Sequence, residues 1–159
     1  MNFYHKTYGI DCISLRYANV YGPRQDYLGE AGVIAIFINK LLRNQKPIIN
    51  GDGKQTRDFV YVEDVAEGVL TVFEKGKKGE AYNIGNNQPT TILELAQLAK
   101  EMTKSRSEIV KLGFGEKTRL KEREIEYRIP DISKMKALGW TPKTMIREGV
   151  KRILESMKN

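Results

Sequence analysis

The chain has 159 residues, 40% of them hydrophobic, which suits one domain with a real core, and no apolar run approaches the ~20 residues of a membrane span. One cysteine and one histidine exclude an intrachain disulfide and an ordinary zinc site, and the start, MNFYHKTYGIDC, lacks the apolar centre of a secretion signal, so a cytoplasmic location is expected. The net charge of +7 and isoelectric point of about 9.4 permit an anionic partner, nucleic acid or a phosphorylated small molecule, but acidic residues are interspersed, as in EKTRLKEREIEYR (116–128), the pattern of a solvated, salt-bridged surface.

In chain order, CISLRYANVY (12–21) reads as a strand running into a Gly-rich loop (22–32). VIAIFINKLLRNQ (33–45) carries Ile34, Phe37, Ile38, Leu41 and Leu42 at helical spacing, and Lys46-Pro47 ends that helix. PIIN (47–50) and RDFVYV (57–62) read as strands around a GDGKQ turn and are expected to pair as a hairpin. Asp64 is the expected cap of a helix with Val65, Val69, Val72 and Phe73 turned inward. EAYNIG (80–85) reads as a short buried strand. Thr91 and Glu94 form a capping box that opens a helix with Ile92, Leu95, Ala96, Ala99 and Met102 on one face. EIVKLGF (108–114) and LKEREIEYRIP (120–130) read as extended, DISKMKALG (131–139) as a short helix closed by Gly139, and 145–157 as a last amphipathic helix. Strands and helices interleave, so the fold class is α/β.

Several chemistries are missing. GDGKQT has two glycines of a dinucleotide fingerprint and is no phosphate-binding loop; its glycines fit a tight turn. His5 has no evident partner, which leaves no Ser-His-Asp arrangement to argue, and Cys12 sits in an apolar strand. What remains suits binding. Asn19 follows a strand end, where α/β sheets form their ligand crevice; it either donates to a ligand oxygen or organises the loop. Arg57 can present a planar fork to a phosphate, or it can pair with Asp58 or Asp64. Arg119, Lys121 and Arg123 share one face if their segment is extended.

LRYANVYGPRQ, PIINGDGKQTRDFVYVEDVAEGV, AYNIGN, TTILELAQLA and DISKMKALGWTP, in this order, resemble the extended short-chain dehydrogenase/reductase family, and within it the NAD-dependent sugar-nucleotide epimerases and dehydratases, UDP-glucose 4-epimerases foremost. The resemblance runs over residues 1–159. It implies the C-terminal portion of an extended Rossmann-type fold: the last sheet strands plus a small mixed α/β substrate-binding subdomain, without the N-terminal dinucleotide-binding half. The catalytic Tyr-x-x-x-Lys pair of that family is not in the chain: the residues four positions after its eight tyrosines are Tyr8, Cys12, Tyr21, Gln25, Ala31, Val65, Asn86 and Asp131.

The family interconverts UDP-galactose and UDP-glucose through a 4-keto intermediate with NAD, so the resemblance implies a UDP-sugar ligand and, for the intact family, NAD. No nucleic acid or membrane partner is expected. A chain of this extent should bind the nucleotide sugar without turning it over. A portion of a dTDP-glucose 4,6-dehydratase or UDP-glucuronate decarboxylase, or a non-catalytic binding module, are the alternatives. By resemblance Tyr17 lies beside the nicotinamide, and Asn19 contacts the diphosphate. Val33 and Ile34 begin the helix against the phosphates, and Ile48, Ile49 and Asn50 form the strand that reads the base. Arg57 and Lys121 bind phosphate. Two positions depart from the pattern: Asn50 replaces a usual aromatic, and Lys121 a usual arginine, a point charge in place of a fork. Apolar strand faces near 12–20 and 80–85 are expected to lie uncovered and to drive self-association or pairing with an N-terminal half.

Overall fold

The computed structural model describes residues 2–28, 32–113 and 125–157. Its elements are α1 (Asn2–Tyr8), β1 (Ser14–Tyr17), β2 (Asn19–Tyr21), α2 (Val33–Leu42), β3 (Ile48–Asn50), β4 (Thr56–Tyr61), α3 (Val62–Lys75), β5 (Ala81–Ile84), β6 (Pro89–Thr91), α4 (Ile92–Thr103), β7 (Val110–Leu112), β8 (Tyr127–Arg128), α5 (Ser133–Ala137) and α6 (Ile146–Ser156). The class is α/β, as the interleaving predicts.

The organising strand is β4. It pairs in parallel with β2 and β8 and antiparallel with β6. Side chains alternate across a strand, so its residues serve two cores. Phe59 and Tyr61 join Phe37, Ile38 and Leu41 of α2, Leu95, Ala96 and Ala99 of α4, and Val150 and Ile153 of α6. Val60 joins Val65 and Val72 of α3, Tyr82 and Ile84 of β5, Met135 of α5 and Trp140.

The apolar stripes of α2, α4 and α6 are those the helical periodicity gives, with Leu42 left outside at 48% exposure. The capping box is present: the Glu94 amide donates to Thr91 Oγ1 (3.1 Å), and the Thr91 amide donates to Glu94 Oε2 (2.8 Å). Gly139 follows α5 in the left-handed region (φ 87°), as a helix stop requires. The surface charges pair as the interspersed pattern suggests; Arg147 holds Glu101 through two bonds (2.9 and 3.0 Å), tying α6 to α4.

Five expectations are corrected. Strand 12–21 is two strands: β1 pairs with β5, β2 pairs with β4, and Ala18 lies between them. The hairpin does not form. Gly51 and Gly53, both at φ 82°, turn the chain so that β3 pairs in parallel with β7 instead. Asp64 is not a cap. The helix starts at Val62, and Asp64 is buried with its carboxylate accepting from the Thr144 amide (2.9 Å). Phe73 points outward, 86% exposed, because the inward face of α3 is Val65, Gly68 and Val72. Finally, of the two strand faces expected to lie open, β5 is covered, with Tyr82 and Ile84 buried beneath α3 and α5, while β1 does expose Tyr17 (51%). Further exposed apolar groups include Phe3, Tyr4, Tyr8 and Ile10 in and after α1, and Leu70 and Phe73 of α3. The α1 helix itself was not foreseen; its three aromatic rings pack edgewise or tilted on each other, with centroids 5.8–6.4 Å apart.

Candidate functional site

The site follows from the change of partners at Ala18. Tyr17 is in register with Ile84 of β5, while Asn19 is in register with Phe59 of β4. One residue therefore separates two ladders that lead into different cores, and the sheet parts there. A crevice at the point where neighbouring parallel strands diverge is the usual ligand position of open α/β sheets. Here it is a cleft of about 370 Å³, lined by Tyr17, Ala18 and Asn19, by Asp58 of β4, and by Tyr127, Arg128, Ile129 and Pro130.

Asp58 closes the inner wall. It is 1% exposed, and its carboxylate accepts from the amides of Asn86 (3.1 and 3.0 Å) and Asn87 (3.1 Å). Burial pushes its carboxyl above the usual carboxylate range; the amides of Asn87, Gln88 and Asn86 pull the other way. Gly85 makes this packing possible. A Cβ there would lie 2.2 Å from Asp58 Oδ2, 3.0 Å from Pro130 Cγ and 3.2 Å from Ala18 Cβ, so three cleft residues meet at a position with room for no side chain.

Of the residues singled out from the sequence, Tyr17 and Asn19 line this cleft, with Tyr17 51% exposed at its wall. Of the other described ones, Val33, Ile34, Ile48, Ile49, Asn50 and Arg57 do not line it. Val33 and Ile34 open α2 behind Gly32, which provides no side-chain cap; Ile34 is in the core at 1% exposure and Val33 is partly buried against it. On β3, Ile49 is buried, Ile48 and Asn50 are exposed, and the Asn50 carbonyl accepts from Gln55 Nε2 (3.0 Å). Arg57 is half-buried on β4; its Nη1 donates to the carbonyls of Thr56 (2.9 Å) and Ile125 (2.6 Å). The two carboxylates weighed as its partners are engaged with backbone amides: Asp58 with Asn86 and Asn87, Asp64 with Thr144. Lys121 lies outside the described residues, as do Arg119 and Arg123.

Sequence reasoning missed Tyr127, Arg128 and Pro130 as site residues, and took Asp58 only as a partner for Arg57. They come to the cleft through the parallel pairing of β8 with β4, in which Arg57 is in register with Arg128. The available signal was Tyr127-Arg128 two residues before a proline in an extended segment. No metal-ligating group of three or more His, Cys, Asp or Glu side chains occurs among the described residues, and no helix there is long and apolar enough to cross a membrane.

Parallel strands, a crevice where they part and the crossing helices define an α/β architecture of the Rossmann type. Residues 1–85 match the NAD dependent epimerase/dehydratase family, and the chain belongs to it. A Methanocaldococcus jannaschii protein provisionally named a UDP-glucose 4-epimerase is 49% identical over 100% of this chain and 50% of its own length. The dTDP-D-glucose 4,6-dehydratase of Bos taurus is 40% identical over 96% of this chain and 42% of its own. Among solved structures, the UDP-glucose 4-epimerase of Thermotoga maritima with UDP-glucose superposes with a TM-score of 0.89 at 42% identity, covering 98% of this chain and 48% of that one. The chain thus spans about half the length of the curated relatives it matches. NAD is the cofactor of the family, and its solved members include NAD-bound enzymes.

Proposed function

We propose that this chain is the nucleotide-sugar-binding portion of a UDP-glucose 4-epimerase-like protein. The observation that carries the reading is the cleft at Ala18, with Tyr17 and Asn19 together on its wall. In this reading Asn19 and Arg57 hold the diphosphate, with the backbone at Val33 and Ile34 and the side chain of Lys121 adding to the grip. The Ile48–Asn50 strand meets the base, and an Asn in place of an aromatic weakens packing there. Tyr17 lies against the nicotinamide end of NAD, which supplies the hydride acceptor when bound. The chain's residues fit that cofactor only in part: Tyr17 offers an exposed ring at the cleft, but the sequence has no glycine-rich cradle for the pyrophosphate.

Proton transfer needs a positioned acid/base, and no tyrosine in the sequence is followed four residues later by lysine. The chain by itself therefore binds without catalysing. Calorimetry with UDP tests the reading. Binding by the chain, lost in Arg57→Ala, is the expected result; no heat with UDP counts against it. Turnover of UDP-galactose by the chain with NAD would overturn the claim that an acid/base is lacking.

The 40% identity to a dTDP-D-glucose 4,6-dehydratase supports a dehydratase portion as the second reading. Preference for dTDP over UDP separates the two. A UDP-glucuronate decarboxylase portion differs in another respect, the charge on the sugar.

A further inference from the structure

We infer that Asp58 is a positioning residue of the cleft: its carboxylate clamps the two strand ladders together where they part at Ala18, and so sets the place of Asn19. The ligand half of this inference rests on the nucleotide-sugar reading above; the clamp itself does not. The two ladders belong to separate sheets. Ala18 is tied to the β1–β5 side, its amide donating to the Ile84 carbonyl (2.9 Å), while Asn19 is in register with Phe59 of β4. Gly85 directly follows Ile84, and Asp58 directly precedes Phe59, so the two meet across the seam.

Asp58 supplies bonds that cross this seam. Its Oδ2 accepts from the amides of Asn86 (3.0 Å) and Asn87 (3.1 Å), and its Oδ1 from Asn86 as well (3.1 Å). Asn87 stands in the left-handed region (φ 55°), which asparagine enters more readily than most residues, and that turn lets successive amides converge on one carboxylate. Gly85 sets how deep the carboxylate sits. A Cβ there would collide with Asp58 Oδ2 and press on Pro130 Cγ (3.0 Å) and Ala18 Cβ (3.2 Å), so the clamp has no slack.

Two features mark Asp58 as positioning the cleft rather than filling space. A buried carboxylate is costly unless hydrogen bonds offset its desolvation. Its neighbours Phe59 and Val60 show that β4 can fill both its faces with apolar groups, so the amides are what call for an acid here. The chain also has a second buried carboxylate that accepts from a distant backbone amide, Asp64 from Thr144 (2.9 Å), but that one does not line the cleft. Asp58 does, beside Ala18 and Asn19. At 1% exposure, with both oxygens on amides, it acts on a ligand through the residues it holds.

The test is amide hydrogen exchange on the full chain, read residue by residue by NMR, with calorimetry of UDP binding alongside. In Asp58→Ala, exchange at Ala18, Asn86 and Asn87 should rise about tenfold or more beyond any change at Thr144, because a local opening exposes the seam alone while a global loss of stability speeds both regions. UDP should bind about tenfold more weakly, the order of one displaced hydrogen-bond partner. Asp58→Asn, which keeps one oxygen for both amides, should recover most of both effects. Asp64→Ala is the control: it lowers stability and leaves UDP affinity unchanged. If Asp58→Ala does not fold, Gly85→Ala displaces the carboxylate from the other side and should give the same local pattern. Exchange at Ala18 that rises no more than at Thr144 overturns the clamp, since Asp58 would then only add stability. Seam amides that open while UDP affinity stays at the wild-type level overturn the positioning of Asn19. A wild-type chain that does not bind UDP removes the nucleotide-sugar reading, and the exchange result still decides the clamp.

Discussion

The two cores on either side of β4 are closed to different degrees. The core of α2, α4 and α6 is sealed: Ile38, Leu95, Ala96, Ala99 and Val150 are fully buried, and three helices surround it. The core of α3 and β5 is buried at its centre, at Ile84 and Met135, but α3 turns Leu70 and Phe73 away from it into solvent. Near the chain start, α1 shows three aromatic rings packed on one another and on little else. The difference teaches where this chain is self-sufficient. The sealed side completes its own packing, and the open side carries apolar surface suited to a partner.

Truncation on each side breaks the comparison most directly. Leu95→Ala should cost about 2–5 kcal/mol in chemical denaturation, from lost transfer energy and an unfilled cavity. Phe73→Ser should leave stability within about 0.5 kcal/mol, as an exposed substitution does, while reducing self-association in light scattering. A large loss from Phe73→Ser, or a monomer at high concentration in the wild type, would show that the open side needs no cover.

Next in size is the seam between α6 and β2. A Cβ on Gly149 would lie 2.2 Å from the Tyr21 hydroxyl, and that hydroxyl is buried without a hydrogen-bond partner among the described residues. Gly149→Ala should therefore cost about 1–3 kcal/mol by overpacking. Tyr21→Phe removes an unsatisfied hydroxyl, so it should be neutral or stabilising. It should also relieve part of the Gly149→Ala penalty; strict additivity of the two in a double-mutant cycle would contradict this packing.

The smallest effect is a slope. Asp58 has a folded pKa raised above its unfolded value of about 3.8, chiefly by burial. The folded state then binds the proton more tightly, so the contribution of Asp58 to stability is present below the unfolded pKa and is lost as pH rises through the folded pKa. Relative to Asp58→Asn, which does not titrate, wild-type stability should fall as pH rises from about 3.8. A difference that rises with pH would mean that the Asn86–Gln88 amides outweigh desolvation.

Much of the sealed side was legible in the sequence, because α2, α4 and α6 are long enough for their 3.6-residue period to stand out, and Thr91 and Glu94 mark one start directly. The open side was less so. Phe73 fits the stripe of α3 by spacing, yet the helix buries a narrower face, centred on Val65, Gly68 and Val72, with Gly68 pressed close to Trp140 and Ile84. The short strands carry too few residues for a period, and their partners lie far along the chain. Nothing in PIIN announces that it will pair with residues 110–112 rather than with 57–62. The site divided in the same way. Asn19 was visible as a residue after a strand end, a local signal, while Tyr17 came only through the family resemblance. Asp58 and Arg128 are 70 positions apart and meet through the pairing of β4 with β8, which no local pattern encodes.

One consequence of β4 concerns error. Strand pairing that slips by a single residue reverses the facing of every side chain. In a strand with one wet face, such a slip exposes one set of apolar groups. Here it would also drive Phe59 and Tyr61 into the space cut for Val60, and Val60 into theirs, so both cores would object at once. The segment is thus proofread from two sides, and whatever it carries at its leading end inherits that accuracy. Arg57 and Asp58 are held in register by the two cores that follow them along the strand.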